Sequence, residues 1–328
     1  MTRIIQLIPT LALGALLTAC GTDSSSGGST GGTSSTSSSL SVSTAPTPGV
    51  SVQGASSDRP AFSLRLTDAP IDGVIAVVVQ FTEVRVRSTN GTWTSYVFDS
   101  PVSIDLLSLQ GSKTADLLVN MPLDDGDYDE IRLFVDEAPM ATYVDLGSAG
   151  VKELTVKNGS KKGIKVSGAF SVSESRKASF VLDFDLRKSV KLKKGKYELK
   201  PKLRLVEQFA SGHIRGMVDP AKLTLAAGCS DDDVDTFNAV YVFEGHGAKV
   251  RDIDLSKKNP KGPLSTTLIK YDAEAQSYMY EAAFLPAGEY TIAYTCNADL
   301  EDLDKGKDNL RFFGVRNATV VLNNIEFL

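Results

Sequence analysis

Phe180-Val181-Leu182-Asp183-Phe184-Asp185-Leu186 is the stretch that decides the fold class. Large apolar side chains recur at every second position, and Asp183 and Asp185 fall between them. That is the period of a strand with one apolar and one mostly polar face. The same alternation appears upstream, where Phe62, Leu64 and Leu66 interleave with Ser63, Arg65 and Thr67 before an Asp68-Ala69-Pro70 turn. It continues through Val77, Val79, Phe81, Val84 and Val86 to Asn90-Gly91, a hairpin signal. Further strands are expected at Trp93 to Phe98, Tyr128 to Val135, Leu154 to Val156, Ile164 to Val166 and Val172. Leu199, Leu203 and Leu205, set between Lys200, Lys202 and Arg204, read as one more strand. Helical periodicity is nearly absent, with Lys113 to Met121 the best short candidate.

A second set of strands begins near Ser211. It comprises Ile214 with Val218, Val240 with Val242, Tyr278 to Phe284, Tyr290 to Tyr294, Val320 to Leu322 and Ile325 to Phe327. Residues 255–265 read as loop. Many short strands with Gly, Pro and Asn turns predict an all-β chain of two antiparallel β-sandwich domains, 60–210 and 211–328. Gly126-Asp127-Tyr128, Gly195-Lys196-Tyr197 and Gly288-Glu289-Tyr290 share a glycine-turn tyrosine. Such a tyrosine packs over a sandwich end and bonds backbone, as in a tyrosine corner.

The N-terminus reads as targeting. Arg3 precedes an apolar stretch, Ile4 to Leu17, that Gln6 and Pro9 interrupt. The stretch is shorter than the roughly 20 residues of a spanning helix and fits a secretory signal, residues 1–19. Its end, Leu17-Thr18-Ala19-Cys20-Gly21, resembles the lipobox of bacterial lipoproteins. The resemblance implies that Cys20 becomes the acylated first residue, held to membrane lipid by its acyl chains. Gly21, where aspartate would favour inner-membrane retention, implies the outer membrane. An ordinary signal with a chance cysteine is the competing reading. Residues 20–59 are mostly Ser, Gly and Thr, too poor in apolar surface to order, and read as a flexible tether spanning roughly 35 Å.

With Cys20 lipidated, Cys229 and Cys296 remain, an even pair in an oxidising compartment. A bridge between them is expected, against the alternative of two buried free thiols. Their separation argues against a redox or zinc Cys-x-x-Cys motif.

Six motifs occur in order: Leu66-Thr67-Asp68-Ala69-Pro70, Phe81-Thr82-Glu83-Val84, Asp105-Leu106-Leu107-Ser108-Leu109, Gly126-Asp127-Tyr128, the Leu182 to Val190 run and Leu199-Lys200-Pro201-Lys202-Leu203-Arg204-Leu205. Together they resemble the bacterial DUF4382 lipoprotein domains over roughly residues 60–208. From Gly212-His213-Ile214-Arg215-Gly216 onward the chain is similar to transthyretin-like, carboxypeptidase-regulatory-like sandwiches. The first resemblance implies fold and location and brings no catalytic residues.

The net charge of −5 gives no reason to expect nucleic-acid binding, which needs clustered cation. No Gly-x-Ser-x-Gly elbow is present, and neither His213 nor His246 has a triad context. Asp183 and Asp185 share a strand face, but glycoside hydrolases draw their carboxylate pair from elements across a cleft. Calcium is a candidate cofactor, with Asp231, Asp232 and Asp233 after Cys229 and Asp302 and Asp304 after Cys296 as ligands, since hard oxygens suit that ion. Solvated acidic loops are the competing reading, and Lys305 and Lys307 intrude. The one strong charge asymmetry is the basic set Arg187, Lys188, Lys191, Lys193, Lys194 and Lys196, continued by Lys200, Lys202 and Arg204. It suits an anionic polysaccharide or lipid phosphate, or simply lysines that guard a sheet edge. The function expected is a non-enzymatic envelope module that binds a polysaccharide or another envelope component. The alternatives are a structural spacer and, behind it, a hydrolase.

Overall fold

Strand β10 (Ala178–Asp185) is buried along all eight residues, the polar positions included. We describe the chain from a computed structural model, which covers residues 49–56, 60–173, 178–223, 228–229, 237–256, 262–303 and 308–328. On one face of β10, Phe180, Leu182 and Phe184 enter the main core. On the other face Val181 meets Val206, Phe284 and Ala283, and the last two belong to the later part of the chain. The mostly polar face is therefore buried rather than turned to solvent. A second sandwich covers it.

The first sandwich contains β1 (Val50–Gln53), β2 (Pro60–Ala69), β3 (Ala76–Ser88), β4 (Trp93–Asp105), β5 (Ala115–Pro122), β6 (Gly126–Val135) and β7 (Tyr143–Asp145). It continues with β8 (Val151–Val156), β9 (Ile164–Val172), β10, the one-turn helix α1 (Leu186–Ser189), β11 (Val190–Lys193), β12 (Lys196–Leu199) and β13 (Leu203–Glu207). Nine strands form one sheet in the order β1-β4-β3-β7-β8-β12-β11, with β6 on β3 and β9 on β6. The facing sheet is β13-β10-β2-β5. Between them lies a core with an aromatic centre, where Phe62 lies 6.1 Å from Tyr96 and 6.0 Å from Phe170, and Phe170 lies 4.7 Å from Phe180.

The second sandwich pairs the sheets β17-β18-β14-β21 and β16-β15-β19-β20. Its strands are β14 (Ser211–Val218), β15 (Ala239–Glu244), β16 (Ser265–Leu268), β17 (Lys270–Asp272), β18 (Ser277–Pro286), β19 (Gly288–Thr295), β20 (Phe313–Val320) and β21 (Ile325–Phe327). Val240, Val242, Ile292 and Tyr294 face its core. Tyr241, Phe243 and Ala293 on the outer side of the same strands are covered by Val250, Ile253, Leu255 and Phe312.

Four expectations change in detail. Val50–Gln53, expected within the flexible tether of 20–59, is strand β1 and pairs with β4, because Val50 and Val52 pack against the core. The sheets are mainly antiparallel, but β2 runs parallel to β10, β8 to β12 and β14 to β21. The helix expected at Lys113 to Met121 is strand β5, whose irregular register on β2 buries the neighbours Leu117 and Leu118 together. Bulges break the period of two, which is why the segment looks helical. Leu199 and Leu203 belong to different strands in different sheets, divided by Pro201, which has no N–H for a ladder. Tyr128 donates to Asp124 O at 2.6 Å and Tyr290 to Pro286 O at 2.7 Å, each four residues back, as the tyrosine-corner expectation requires.

The chain passes from the first sandwich to the second through Gln208–Ala210, one 3-10 turn. The Gln208 side chain accepts from Arg65 Nη1 at 2.6 Å and Ser179 Oγ at 2.7 Å, which pins the connection. Both sandwiches lie in one compact unit, Pro46–Leu328.

Candidate functional site

The junction of the two sandwiches gathers the charged residues that the sequence sets apart. It begins at the end of β10, where Asp185 caps α1 by accepting from Lys188 N at 3.0 Å. The single turn then sends two cations across the junction. Buried Arg187 donates through Nη2 to Asp72 Oδ2 at 2.7 Å and through Nη1 to Ala298 O at 3.5 Å. Lys188 Nζ lies 2.6 Å from Asp185 and donates to Pro263 O at 2.9 Å. Arg204 on β13 pairs with Asp183 on β10.

Asp68, Asp183 and Asp185 are buried. Burial pushes the Asp183 carboxyl up despite the pull of Arg204. Asp68, at the end of β2, is raised further, by burial first and then by the nearby charges of Asp183 and Asp185. Across the junction Tyr241 donates to Glu301 Oε2 at 2.6 Å, and Ile253 N donates to Oε1 at 2.9 Å. Burial outweighs both bonds and pushes Glu301 up to about 7. Asp183 pairs with Arg204 and Asp185 with Lys188, so each of these carboxylates has a cationic partner.

Two open clefts flank the junction. One, of about 890 Å³, has Lys191, Lys193 and Lys200 on one wall and Asp299, Glu301 and Asp302 on the other. The second, of about 600 Å³, brings Lys188, Lys202 and Arg204 from the first sandwich against Lys249 and Arg251 from the second. Phe243, Ile253 and Leu264 contribute its apolar part. The basic set is thus dispersed. Arg187 is internal, Lys191 and Lys193 sit on the edge strand β11 as the edge-guarding reading expects, and Lys202 and Arg204 line the second cleft. Lys249 and Arg251 escaped the sequence reading, since an alternating pair in Ala248-Lys249-Val250-Arg251 gives no signal until folding sets it opposite Lys202.

Cys229 and Cys296 form a disulfide with their Cα atoms 5.2 Å apart. Of the calcium candidates, Asp231, Asp232, Asp233 and Asp304 lie outside the described residues, as does Cys20. Asp302 N donates to Asp308 Oδ2 at 2.6 Å. Among the described residues no three His, Cys, Asp or Glu side chains gather in a geometry that would hold a metal ion. His213 bonds Glu281 at 3.2 Å and His246 bonds Ala318 O at 3.0 Å, so both rings serve packing contacts.

Residues 60–201 match the family model of DUF4382, a domain of unknown function. The DUF4382 match takes in β2 to β12 and α1, with Asp183, Arg187 and Lys188, and stops short of Lys202 and Arg204. No curated protein matches the chain. Among solved structures it is similar to the Bacillus anthracis TIE protein at 13% identity and a TM-score of 0.19, covering 81% of this chain and 33% of that one. It is similar to a minor pilin of Streptococcus agalactiae at 9% identity and a TM-score of 0.18, covering 82% and 94%. A fimbrial protein from Bacteroides ovatus shares 11% identity at a TM-score of 0.17, covering 82% and 48%. Likeness at this level carries no argument about what the chain does.

Proposed function

We propose that this chain is a lipid-anchored outer-membrane lipoprotein whose two sandwiches form a non-enzymatic module that binds a polysaccharide or another envelope component. The observation that carries the binding reading is the pair of clefts at the junction, where charged side chains from both sandwiches converge on open space. The anchor rests on Leu17-Thr18-Ala19-Cys20, the tether on the Ser/Gly composition of the residues between Cys20 and β1. Among the described residues no helix is long and apolar enough to cross a membrane. We read the second sandwich as transthyretin-like, on its paired four-stranded sheets and the Tyr290 corner.

A glycan array probed with the full chain carrying Cys20→Ser tests the binding reading. Retention on at least one envelope polysaccharide is expected, and silence across the array overturns it. Fractionation tests the anchor. The wild-type chain should sediment with outer membrane and the Cys20→Ser chain should stay soluble; an unmodified, membrane-free wild-type chain defeats this part.

A spacer is the second reading. It is favoured by the buried clamp of Arg187 on Asp72 and Ala298, which ties the sandwiches in one orientation. A spacer would leave the array silent while deletion of the chain alters envelope assembly.

A further inference from the structure

The second cleft differs from the first in how its charges are spent. In the first cleft, lysines of one sandwich face carboxylates of the other. In the second, cations come from both walls: Lys188, Lys202 and Arg204 on one side, Lys249 and Arg251 on the other. Lys188 and Arg204 are held by Asp185 and Asp183 behind the wall. Lys202 and Lys249 are exposed, Arg251 is half-buried, and among the described residues none of the three has a carboxylate partner. Against them stand exposed Glu244 and buried Asp254, whose carboxylate accepts from Ser256 N at 3.0 Å. Arg204 adds a buried Nη1 donor with no hydrogen-bond partner among the described residues.

Leu255 and Gly262 both line this cleft, and the chain between them is Ser256-Lys257-Lys258-Asn259-Pro260-Lys261. Residues 257–261 lie outside the described residues and form no part of the site.

We infer that this cleft binds an acidic polysaccharide, gripping anionic groups on successive sugars with Lys202, Lys249 and Arg251. The inference rests on the binding reading above and names its ligand class and its place. A chain of charges fits better than a single anion. Each exposed lysine is worth little alone in water, and a polymer that engages several at once gains avidity. The half-buried Leu264 in the lining of the cleft suits the C–H faces of sugar rings. Concavity between two sandwiches argues against a flat bilayer as the occupant.

The test uses the full chain carrying Cys20→Ser with four probes: alginate for carboxylates, dextran sulfate for sulfates, neutral dextran, and vesicles of phosphatidylglycerol. Binding of alginate or dextran sulfate should fall as salt rises. The Lys202→Glu/Lys249→Glu chain should bind at least about tenfold more weakly, since two favourable contacts become repulsive. Lys161→Glu/Lys162→Glu, in the exposed turn between β8 and β9 and away from both clefts, should bind as wild type. Equal weakening by both pairs, or none by Lys202→Glu/Lys249→Glu, overturns the site. Preference for the vesicles over both acidic polymers overturns the ligand class. Binding of neutral dextran alone defeats this inference and leaves the binding reading standing. Should no polysaccharide bind a folded chain, both fall.

Discussion

Ser112 in the first sandwich donates both its backbone N–H and its hydroxyl to Glu281 Oε2 in the second, each at 3.1 Å. Arg215 Nη2 lies 2.9 Å from the other oxygen of the same carboxylate. Burial opposes ionisation there, but His213, Ser112 and Arg215 outweigh it and hold Glu281 at about 2. The ionised form is favoured by folding, so the stability it contributes is complete above its ordinary value of 4.5 and is lost as pH falls towards 2. Chemical denaturation across that window should show a loss of order 3 kcal/mol that Glu281→Gln removes. An unchanged acid limb in the variant would show that Glu281 does not carry it.

Glu301 gives the opposite slope. Its carboxyl is raised to about 7, so folding favours the protonated form. The associated stability is whole below 4.5 and disappears as pH rises through 7. Asp68 and Asp183, also raised by burial, act in the same direction. Melting temperature should therefore peak near the ordinary carboxylate range and decline towards neutrality. Glu301→Gln should flatten the decline; the same decline in wild type and variant would remove Glu301 from the account.

Phe284 fills the apolar contact between the sandwiches against Val181 and Val206, and it does so at φ +52°. Truncating a buried phenylalanine to alanine costs about 3–5 kcal/mol. Positive φ strains any residue with a Cβ, whereas glycine tolerates it. Phe284→Gly should accordingly destabilise no more than Phe284→Ala, the reverse of the usual order in strands. Both variants should separate the unfolding of the two sandwiches into distinct transitions, and a single transition of wild-type midpoint would refute the plug.

The Cys229–Cys296 bridge closes a separation of 67 residues. Loop-closure entropy then makes the bond worth about 4 kcal/mol. Replacing both cysteines by serine should lower the denaturation midpoint of the second sandwich and make it indifferent to reductant. Equal midpoints with and without reductant in the wild-type chain would contradict that.

Local sequence was enough for the regular strands, though not for the bulged β5 or the break between β12 and β13. Alternation placed β2, β3 and β10, Asn90-Gly91 placed the first hairpin, and the glycine-tyrosine turns placed the corners at Tyr128 and Tyr290. Periodicity is a local property, because neighbouring side chains on a strand point to opposite faces whatever the strand later meets. Cys229 and Cys296 were legible as a pair from the even count left once Cys20 was set aside as the expected lipid anchor.

What covers each face depends on residues more than a hundred positions away, and only tertiary structure decided it. Asp183 and Asp185 read as the polar face of an amphipathic strand, yet the second sandwich lies over that face and they are buried with Arg204 and Lys188. The basic run from Arg187 to Arg204 reads as one patch, yet folding splits it among an internal clamp, an edge strand and a cleft. Lys249 and Arg251 gained meaning only opposite Lys202. Strand identity follows from a few neighbours along the chain, whereas burial and charge pairing are set by contacts between distant segments that no local pattern encodes.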